Sequence, residues 1–230
     1  MSRSAWTPSW RAWTRSVRSW FFHPGGAIAG FLGRVFFDAR VEGTEHIPRE
    51  GAFIAVANHC SNFDPPLLGW AVGNSSGRLV HFMSKIEMRR WPIIGWLATQ
   101  SGVYFVRRGE SDRAAQRFSL EALAAGRPIA IFPEGTRSRD ARMRDFKPGA
   151  AYLAMRSGAQ VLPVGIAGTQ GMFPGRSRLP RPTRIRIRIG EPFTLPHVGV
   201  GRVSREALNE GTQRIREAIV ELLPEDQRPG

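Results

Sequence analysis

Short apolar runs alternate with helical stretches along this 230-residue chain, and that alternation constrains the fold more than any other feature. Each apolar run is four to six residues long, is bounded by turn residues and is typical of a buried strand. Capping residues and helical spacing predict helices between and after the runs. This order predicts an α/β fold with a mostly parallel or mixed central sheet that is flanked by helices. The predicted strands are 53–57, 79–83, 103–106, 129–132 and 161–166, and the predicted helices are 65–72, 111–126, 149–156 and 204–223.

Residues 184–189 (RIRIRI) alternate strictly between arginine and isoleucine. A period of two predicts a half-buried strand with its isoleucines inward and its arginines outward. The outward arginines favour a solvated edge strand, and a basic row that faces lipid is the alternative.

The first 37 residues are basic and aromatic, since no Asp or Glu precedes Asp38 and four of the seven tryptophans lie there. Trp10, Trp13, Val17 and Trp20 have the spacing of one helical face, and arginines occupy the other faces. This pattern predicts an amphipathic helix in the plane of a membrane surface, and a helix packed on the protein's own core is the alternative. The apolar residues that follow are too few and too interrupted for a bilayer span or a signal peptide.

Two parts are therefore expected. Residues 1–38 form a basic, Trp-rich membrane-associating segment, and residues 39–230 form the main domain. We expect the chain on the cytoplasmic face of the cell membrane, as a peripheral or monotopic protein.

The formal net charge is +14, and the 33 basic residues include only two lysines, Lys85 and Lys147. Such an excess favours a polyanionic partner, which can be nucleic acid, an anionic membrane surface or a phosphorylated substrate. The arginines are not grouped in a recognisable nucleic-acid-binding module, so we expect anionic lipids and no nucleic acid. Cys60 is the one cysteine, which excludes an internal disulfide and hence a disulfide-built secreted scaffold.

The sequence NHCSNFD (58–64) lies where a predicted strand ends and a helix begins. Ligands of α/β proteins bind just beyond strand carboxyl ends. A turn can fold the Asp64 carboxylate onto the His59 imidazole, which would make His59 a general base. A satisfied loop histidine is the alternative, and a Cys60 thiol nucleophile is a weaker one. No second His or Cys is spaced to complete a metal site, so we expect no metal.

Two further strand ends carry arginine. The sequence FPEGTRSR (132–139) supplies a glycine, hydroxyls and guanidinium groups that suit a phosphate, although an ordinary solvated turn is the alternative. The sequence GVYFVRR (102–108) brings Arg108 to the end of another predicted strand.

Together these segments resemble the glycerolipid acyltransferases, and specifically the 1-acylglycerol-3-phosphate acyltransferases. The signature blocks of that family are N-H-x-S-x-x-D, G-x-x-F-x-x-R, F-P-E-G-T-R-S and a later V-P-V. This chain carries them in order as NHCSNFD, GVYFVRR, FPEGTRS and VLPV (161–164), the last with one leucine inserted. FKPG (146–149) resembles a further family element, F-K-x-G.

The resemblance implies acyl transfer from acyl-CoA or acyl-carrier protein to the free sn-2 hydroxyl of 1-acylglycerol-3-phosphate, which gives phosphatidic acid, without cofactor or metal. His59 would be the general base and Asp64 would orient it. Another lysophospholipid or a lyso-aminolipid is an alternative acceptor, and a non-catalytic basic protein that binds membrane or nucleic acid is a further alternative. The residues implied in acceptor binding are Glu134, Gly135, Thr136 and Arg137, with added charge from Arg108 and a shaping role for Pro163.

Overall fold

The computed structural model describes residues 37–85, 103–106, 111–138, 140, 142–172, 181–199 and 201–229. The predicted Trp-rich helix and Arg108 lie outside these residues. The predicted division of the chain at residue 38 also stays a prediction.

Within the described residues, the protein is built on one sheet of seven strands, which are β1 (Arg40–Glu42), β2 (Phe53–Ala57), β3 (His81–Lys85), β4 (Val103–Val106), β5 (Ile129–Ile131), β6 (Gln160–Ala167) and β7 (Arg186–Ile189). Their order across the sheet is β1-β7-β6-β2-β5-β3-β4. The five strands from β6 to β4 are parallel to one another. β7 is antiparallel to β6, and β1 is parallel to β7, so these two strands run against the other five. The predicted α/β fold with a mixed central sheet is confirmed.

Helices cover both faces of the sheet. Phe53 and Ala55 of β2 pack on one face against Leu67 and Leu68 of helix α1 (Asp64–Leu68), which continues as a π-helical stretch over Gly69–Asn74. Ile54 and other residues of β2 and β6 pack on the opposite face against three longer helices. Because both faces are covered, the central strands are apolar throughout, as the sequence predicts. The helices are α1 (Asp64–Leu68), α2 (Ser111–Ala124), α3 (Gly149–Ser157) and α4 (Arg205–Leu222).

The arginine-isoleucine strand differs from its prediction. Its isoleucines are buried as predicted, but β7 is not an edge strand, because β1 pairs with its outer side. Acidic residues near β1 neutralise the outward arginines: Arg186 Nη2 lies 3.0 Å from Asp38 Oδ2, and Arg188 Nε lies 3.1 Å from Glu42 Oε2. The edge prediction is wrong because a three-residue polar strand such as β1 has no readable hydrophobic pattern.

Within the part of the chain that the structure describes, no helix combines the length and the apolar character that a bilayer span requires.

The parallel strands direct three loops to one edge of the sheet. Residues 58–63 follow β2, residues 132–138 follow β5, and residues 168–172 follow β6. Because β2 lies between β5 and β6, the three loops are neighbours at the carboxyl edge. This is the edge at which parallel α/β sheets bind their ligands.

Candidate active site

Asn58 fixes the point at which the chain leaves the sheet. Its side chain is fully buried and reaches across to β6, where Oδ1 accepts from Ile166 N at 2.8 Å and Nδ2 donates to Ile166 O at 2.9 Å. The amide thus extends the pairing of β2 with β6 by one side chain. His59 begins the loop from a fixed position.

The turn after Asn58 brings His59 and Asp64 together. Nδ1 of His59 lies 2.8 Å from Asp64 Oδ2, with 17% of the imidazole side chain and none of the carboxylate side chain exposed. The same Oδ2 accepts from Cys60 N and Ser61 N, each at 2.7 Å. Backbone N–H groups only donate, so Oδ2 is an acceptor and the shared hydrogen belongs on Nδ1. The neutral ring therefore keeps its lone pair on Nε2, as a general base requires.

The loop after β5 also contacts His59, through both its ring and its backbone. The imidazole stacks on the Phe132 ring, with centroids 4.5 Å apart and planes inclined by 29°. The His59 carbonyl accepts from Ser138 N at 2.8 Å. Ring and backbone of His59 are both fixed before any ligand binds, which limits the reorganisation needed during reaction.

Glu134 belongs to the same loop after β5, and 4% of its surface is exposed. Oε1 accepts from His59 N at 2.7 Å, and Oε2 accepts from Arg144 N at 3.2 Å. Burial raises the pKa of the Glu134 carboxyl, although the two backbone N–H groups favour its charged form. The carboxylate thus joins the loop after β2 to the segment before α3. Direct contact of Glu134 with the acceptor stays a prediction.

The next three residues are exposed at the edge of the sheet, as a ligand contact requires. Gly135 has a φ of +67°, and a Cβ there would lie 3.0 Å from Lys147 Nζ, so glycine lets the lysine lie close to the loop. Lys147 is held in turn by its N–H bond to the Pro133 carbonyl at 2.9 Å. Thr136 and Arg137 follow with exposed side chains.

Pro163 lies inside β6, four residues before the strand ends at Ala167 on this edge of the sheet. It is buried within β6 opposite Val56. A Cβ on Gly190 would lie 3.0 Å from Pro163 Cγ, so the ring packs beside the residue that follows β7. A shaping role for Pro163 stays a prediction, and Arg108 lies outside the described residues.

Thr169, just after β6, was not predicted as a site residue. Its hydroxyl donates to Asp64 Oδ1 at 2.6 Å, and its side chain is buried. The residue belongs to no block that the sequence singles out. The only available indication is that the carboxyl ends of neighbouring parallel strands share one edge.

Cys60 is buried and does not supply a thiolate. Burial raises the pKa of its thiol from 9.0 to about 12, with further contributions from the negative charges of Asp64 and Glu134. A thiol protonated at neutral pH is a poor nucleophile, which agrees with the sequence-based preference for His59. Across the described ranges, His, Cys, Asp and Glu side chains form no group of three or more that could hold a metal ion.

Comparison with known proteins places this geometry in context. A family model described as Acyltransferase matches residues 38–167. A lyso-ornithine lipid O-acyltransferase of Pseudomonas aeruginosa is 34% identical over 84% of this chain and 76% of its own. A chloroplastic 1-acyl-sn-glycerol-3-phosphate acyltransferase of Arabidopsis thaliana is 30% identical over 80% of this chain, which spans half the length of that relative. The crystal structure of the 1-acyl-sn-glycerophosphate acyltransferase of Thermotoga maritima aligns with a TM-score of 0.69 at 32% identity, covering 87% of this chain and 76% of that one.

Proposed function

The chain belongs to the acyltransferase family, and from that premise we propose that it transfers a fatty acyl group from an acyl thioester to the free sn-2 hydroxyl of 1-acylglycerol-3-phosphate. The product is phosphatidic acid, which serves phospholipid biosynthesis. The observation that carries this proposal is the His59–Asp64 pair beside the exposed 135–137 loop at the carboxyl edge of the sheet.

In the proposed reaction, His59 Nε2 takes the proton of the acceptor hydroxyl as its oxygen attacks the thioester carbonyl. A tetrahedral intermediate forms, the C–S bond breaks, and the leaving thiolate takes the proton back from the imidazolium. The Asp64 carboxylate stabilises the transient positive charge on the ring. This route needs no acyl-enzyme, cofactor or metal, and the protonated Cys60 thiol offers no competing nucleophile.

An anionic headgroup is supported by the charge around Gly135. The exposed side chains between residues 135 and 147 include four cationic and two acidic groups among the described positions. One of the acidic groups, Asp140, accepts from Ser138 Oγ at 2.6 Å. Arginine binds phosphate with two parallel hydrogen bonds, and lysine adds a point charge. The cationic residues are Arg137, Arg142, Arg144 and Lys147, and we propose that Arg108 adds to them.

Another acceptor is supported by the relative from Pseudomonas aeruginosa, whose name specifies a lyso-ornithine lipid. That acceptor would use the same base and thioester chemistry with a different headgroup. Acyl-CoA and acyl-carrier protein are both proposed donors. Because acceptor and product are lipids, we further propose that the protein works on an anionic membrane surface, at its cytoplasmic face.

An acyl-transfer assay tests the proposal. Labelled long-chain acyl-CoA and acyl-carrier protein are each offered with lysophosphatidic acid or lyso-ornithine lipid in mixed vesicles, with His59→Ala as the control. Labelled phosphatidic acid that the variant fails to make supports the main proposal. Product from lyso-ornithine lipid alone supports the alternative acceptor. Normal turnover by His59→Ala would show that His59 is not the base.

A further inference from the structure

Thr169 is the one residue outside the loop of His59 that the described contacts place on the Asp64 carboxylate. It begins the 3₁₀ turn Thr169–Met172 just after β6, and 1% of its surface is exposed. It lies two positions beyond the last residue that the family model matches. Its contact with Asp64 spans 105 residues of sequence.

The donors to Asp64 divide unequally between the two oxygens. Oδ2 receives His59 Nδ1, Cys60 N and Ser61 N, all from the loop that Asp64 itself closes. Oδ1 receives the Thr169 hydroxyl from the turn that follows β6. With one oxygen held by the loop after β2 and the other held by the turn after β6, the carboxylate cannot rotate about its Cβ–Cγ bond without losing charge-assisted hydrogen bonds.

We propose that Thr169 is a positioning residue for the dyad: its hydroxyl fixes Asp64 so that Oδ2 faces His59 Nδ1 and holds the imidazole in the Nδ1–H form. The inference rests on the proposed function, in which that form is the active base. The contribution to rate comes through Asp64 and His59, so it belongs to kcat and not to acceptor affinity.

The backbone around Thr169 is suited to such a role, because it is fixed independently of the dyad. Gly168 has a φ of +90°, and a Cβ there would overlap the carbonyl oxygen of Arg184. The Thr183 hydroxyl donates to the Gly168 carbonyl at 3.3 Å, and Arg181 N donates to the Met172 carbonyl at 2.8 Å. The chain leading into β7 therefore braces the turn that carries the hydroxyl.

Three substitutions at this position separate the hydroxyl from the shape of the side chain. Thr169→Val keeps the shape and removes the donor, and Thr169→Ser keeps the donor. Thr169→Ala differs from the serine variant by the hydroxyl alone. If Thr169→Val does not fold, Thr169→Ala replaces it as the variant that lacks the donor. A hydrogen bond to a charged group corresponds to roughly a 10- to 100-fold effect, so we expect kcat to fall about that much for valine and alanine. We expect serine to stay within about threefold and the acceptor KM to change less than about twofold.

A second measurement is independent of acyl transfer. In protein with ¹⁵N-labelled histidine, NMR distinguishes the Nδ1–H and Nε2–H forms of each of the five histidines, and His59→Ala assigns the His59 signals. We expect Nδ1–H at His59 in the wild type and in Thr169→Ser, and a mixture of forms in Thr169→Val. If acyl transfer failed with every acceptor while this pattern held, the proposed function would fail and the positioning role would stand.

The matched control is Thr212→Val in α4, which removes a hydroxyl that donates to the Leu208 carbonyl at 2.6 Å. Thermal unfolding of every variant gives the folded fraction. We expect Thr212→Val to keep wild-type kcat per folded molecule and the wild-type form of His59. Valine and alanine variants of Thr169 with wild-type kcat and the wild-type ring form of His59 would overturn the proposal, as would an equal loss of kcat in the serine variant.

Discussion

Replacing Glu134 with glutamine separates two roles for this buried side chain. The structure gives the carboxylate two backbone partners, His59 N at 2.7 Å and Arg144 N at 3.2 Å. The family resemblance implies contact with the acceptor instead. Glutamine keeps the length of the side chain but has one acceptor oxygen, so it can satisfy only one of these N–H groups. We expect the oxygen to keep the shorter bond to His59 and the amide NH₂ to face Arg144 N.

The magnitude follows from the lost partner. An N–H group left without an acceptor costs about 1–3 kcal/mol, and the surviving bond loses its charge assistance. We expect Glu134→Gln to lower the free energy of unfolding by about 2 kcal/mol. For a chain of this size each kcal/mol lowers Tm by about 2–4 °C, so Tm should fall by about 4–8 °C.

The pH dependence has a defined sign. Burial raises the pKa of Glu134 above its ordinary 4.5, so the native state binds this proton more tightly than the unfolded state. Its contribution to stability is present below pH 4.5 and is lost as pH rises through the raised pKa. Glutamine does not titrate. The difference in free energy of unfolding between the wild type and Glu134→Gln should therefore become smaller as pH rises from 4.5 through the raised pKa of Glu134.

The assay combines thermal unfolding with steady-state acyl transfer at several acceptor concentrations. We expect kcat and Tm to fall while the acceptor KM stays within about twofold, since the side chain acts on backbone groups. Glu217→Gln is the control, because Glu217 is exposed on α4 and accepts only from Gln213 Nε2 among its described bonds. An unchanged Tm together with an effect confined to the acceptor KM would refute the structural role and favour direct contact with the acceptor.

Three further substitutions test the remaining assignments. His59→Ala removes the base, so kcat should fall by about 10²–10⁴-fold in the acyl-transfer assay. Cys60→Ala should keep its activity, and iodoacetamide at neutral pH should not inactivate the wild type, because the thiol is buried with its pKa raised to about 12. That raised pKa also means that the wild type loses stability as pH rises from 9.0 toward 12, whereas the denaturation curve of Cys60→Ala should lack this loss. Arg137→Lys replaces a two-bond fork by a point charge and should raise the acceptor KM by roughly tenfold, while Arg117→Lys on the exposed side of α2 should leave it unchanged.

The sheet was predictable to the extent that its strands are buried on both sides. β2 and β6 are apolar at almost every position, so their sequence alone identifies them. β1 has three residues, two of them charged and exposed, and only its pairing with β7 makes it a strand. Because the sequence did not predict β1, it left β7 without an outer neighbour, and β7 was therefore predicted as an edge strand. Strand order depends on pairing between distant segments, which hydrophobic periodicity does not encode.

The site divides in the same way. His59 and Asp64 are five positions apart, so one local turn brings them together and the spacing can be recognised in the sequence. The hydrogen-bond partners of Glu134 are backbone N–H groups, which nearly every residue carries. The sequence therefore does not indicate which residues bind this carboxylate. Thr169 meets Asp64 only because β6 and β2 are adjacent. The sequence therefore predicts the local pairing of His59 with Asp64, but it does not predict the contacts from Glu134 and Thr169 that hold this pair in place.

The reversal of direction between β6 and β7 bears on where the proposed membrane contact lies. Ala167 at the carboxyl end of β6 pairs with Arg186, and Arg186 pairs with Arg40 at the start of β1. Phe37, whose carbonyl accepts from Ile185 N at 3.1 Å, thus joins the domain at the same edge as His59. With three strand spacings between β1 and β2, the two points are about 14 Å apart across the sheet. Residues 1–36 precede Phe37 in the chain, so the segment for which we propose the membrane contact joins the described domain at the edge that carries the base.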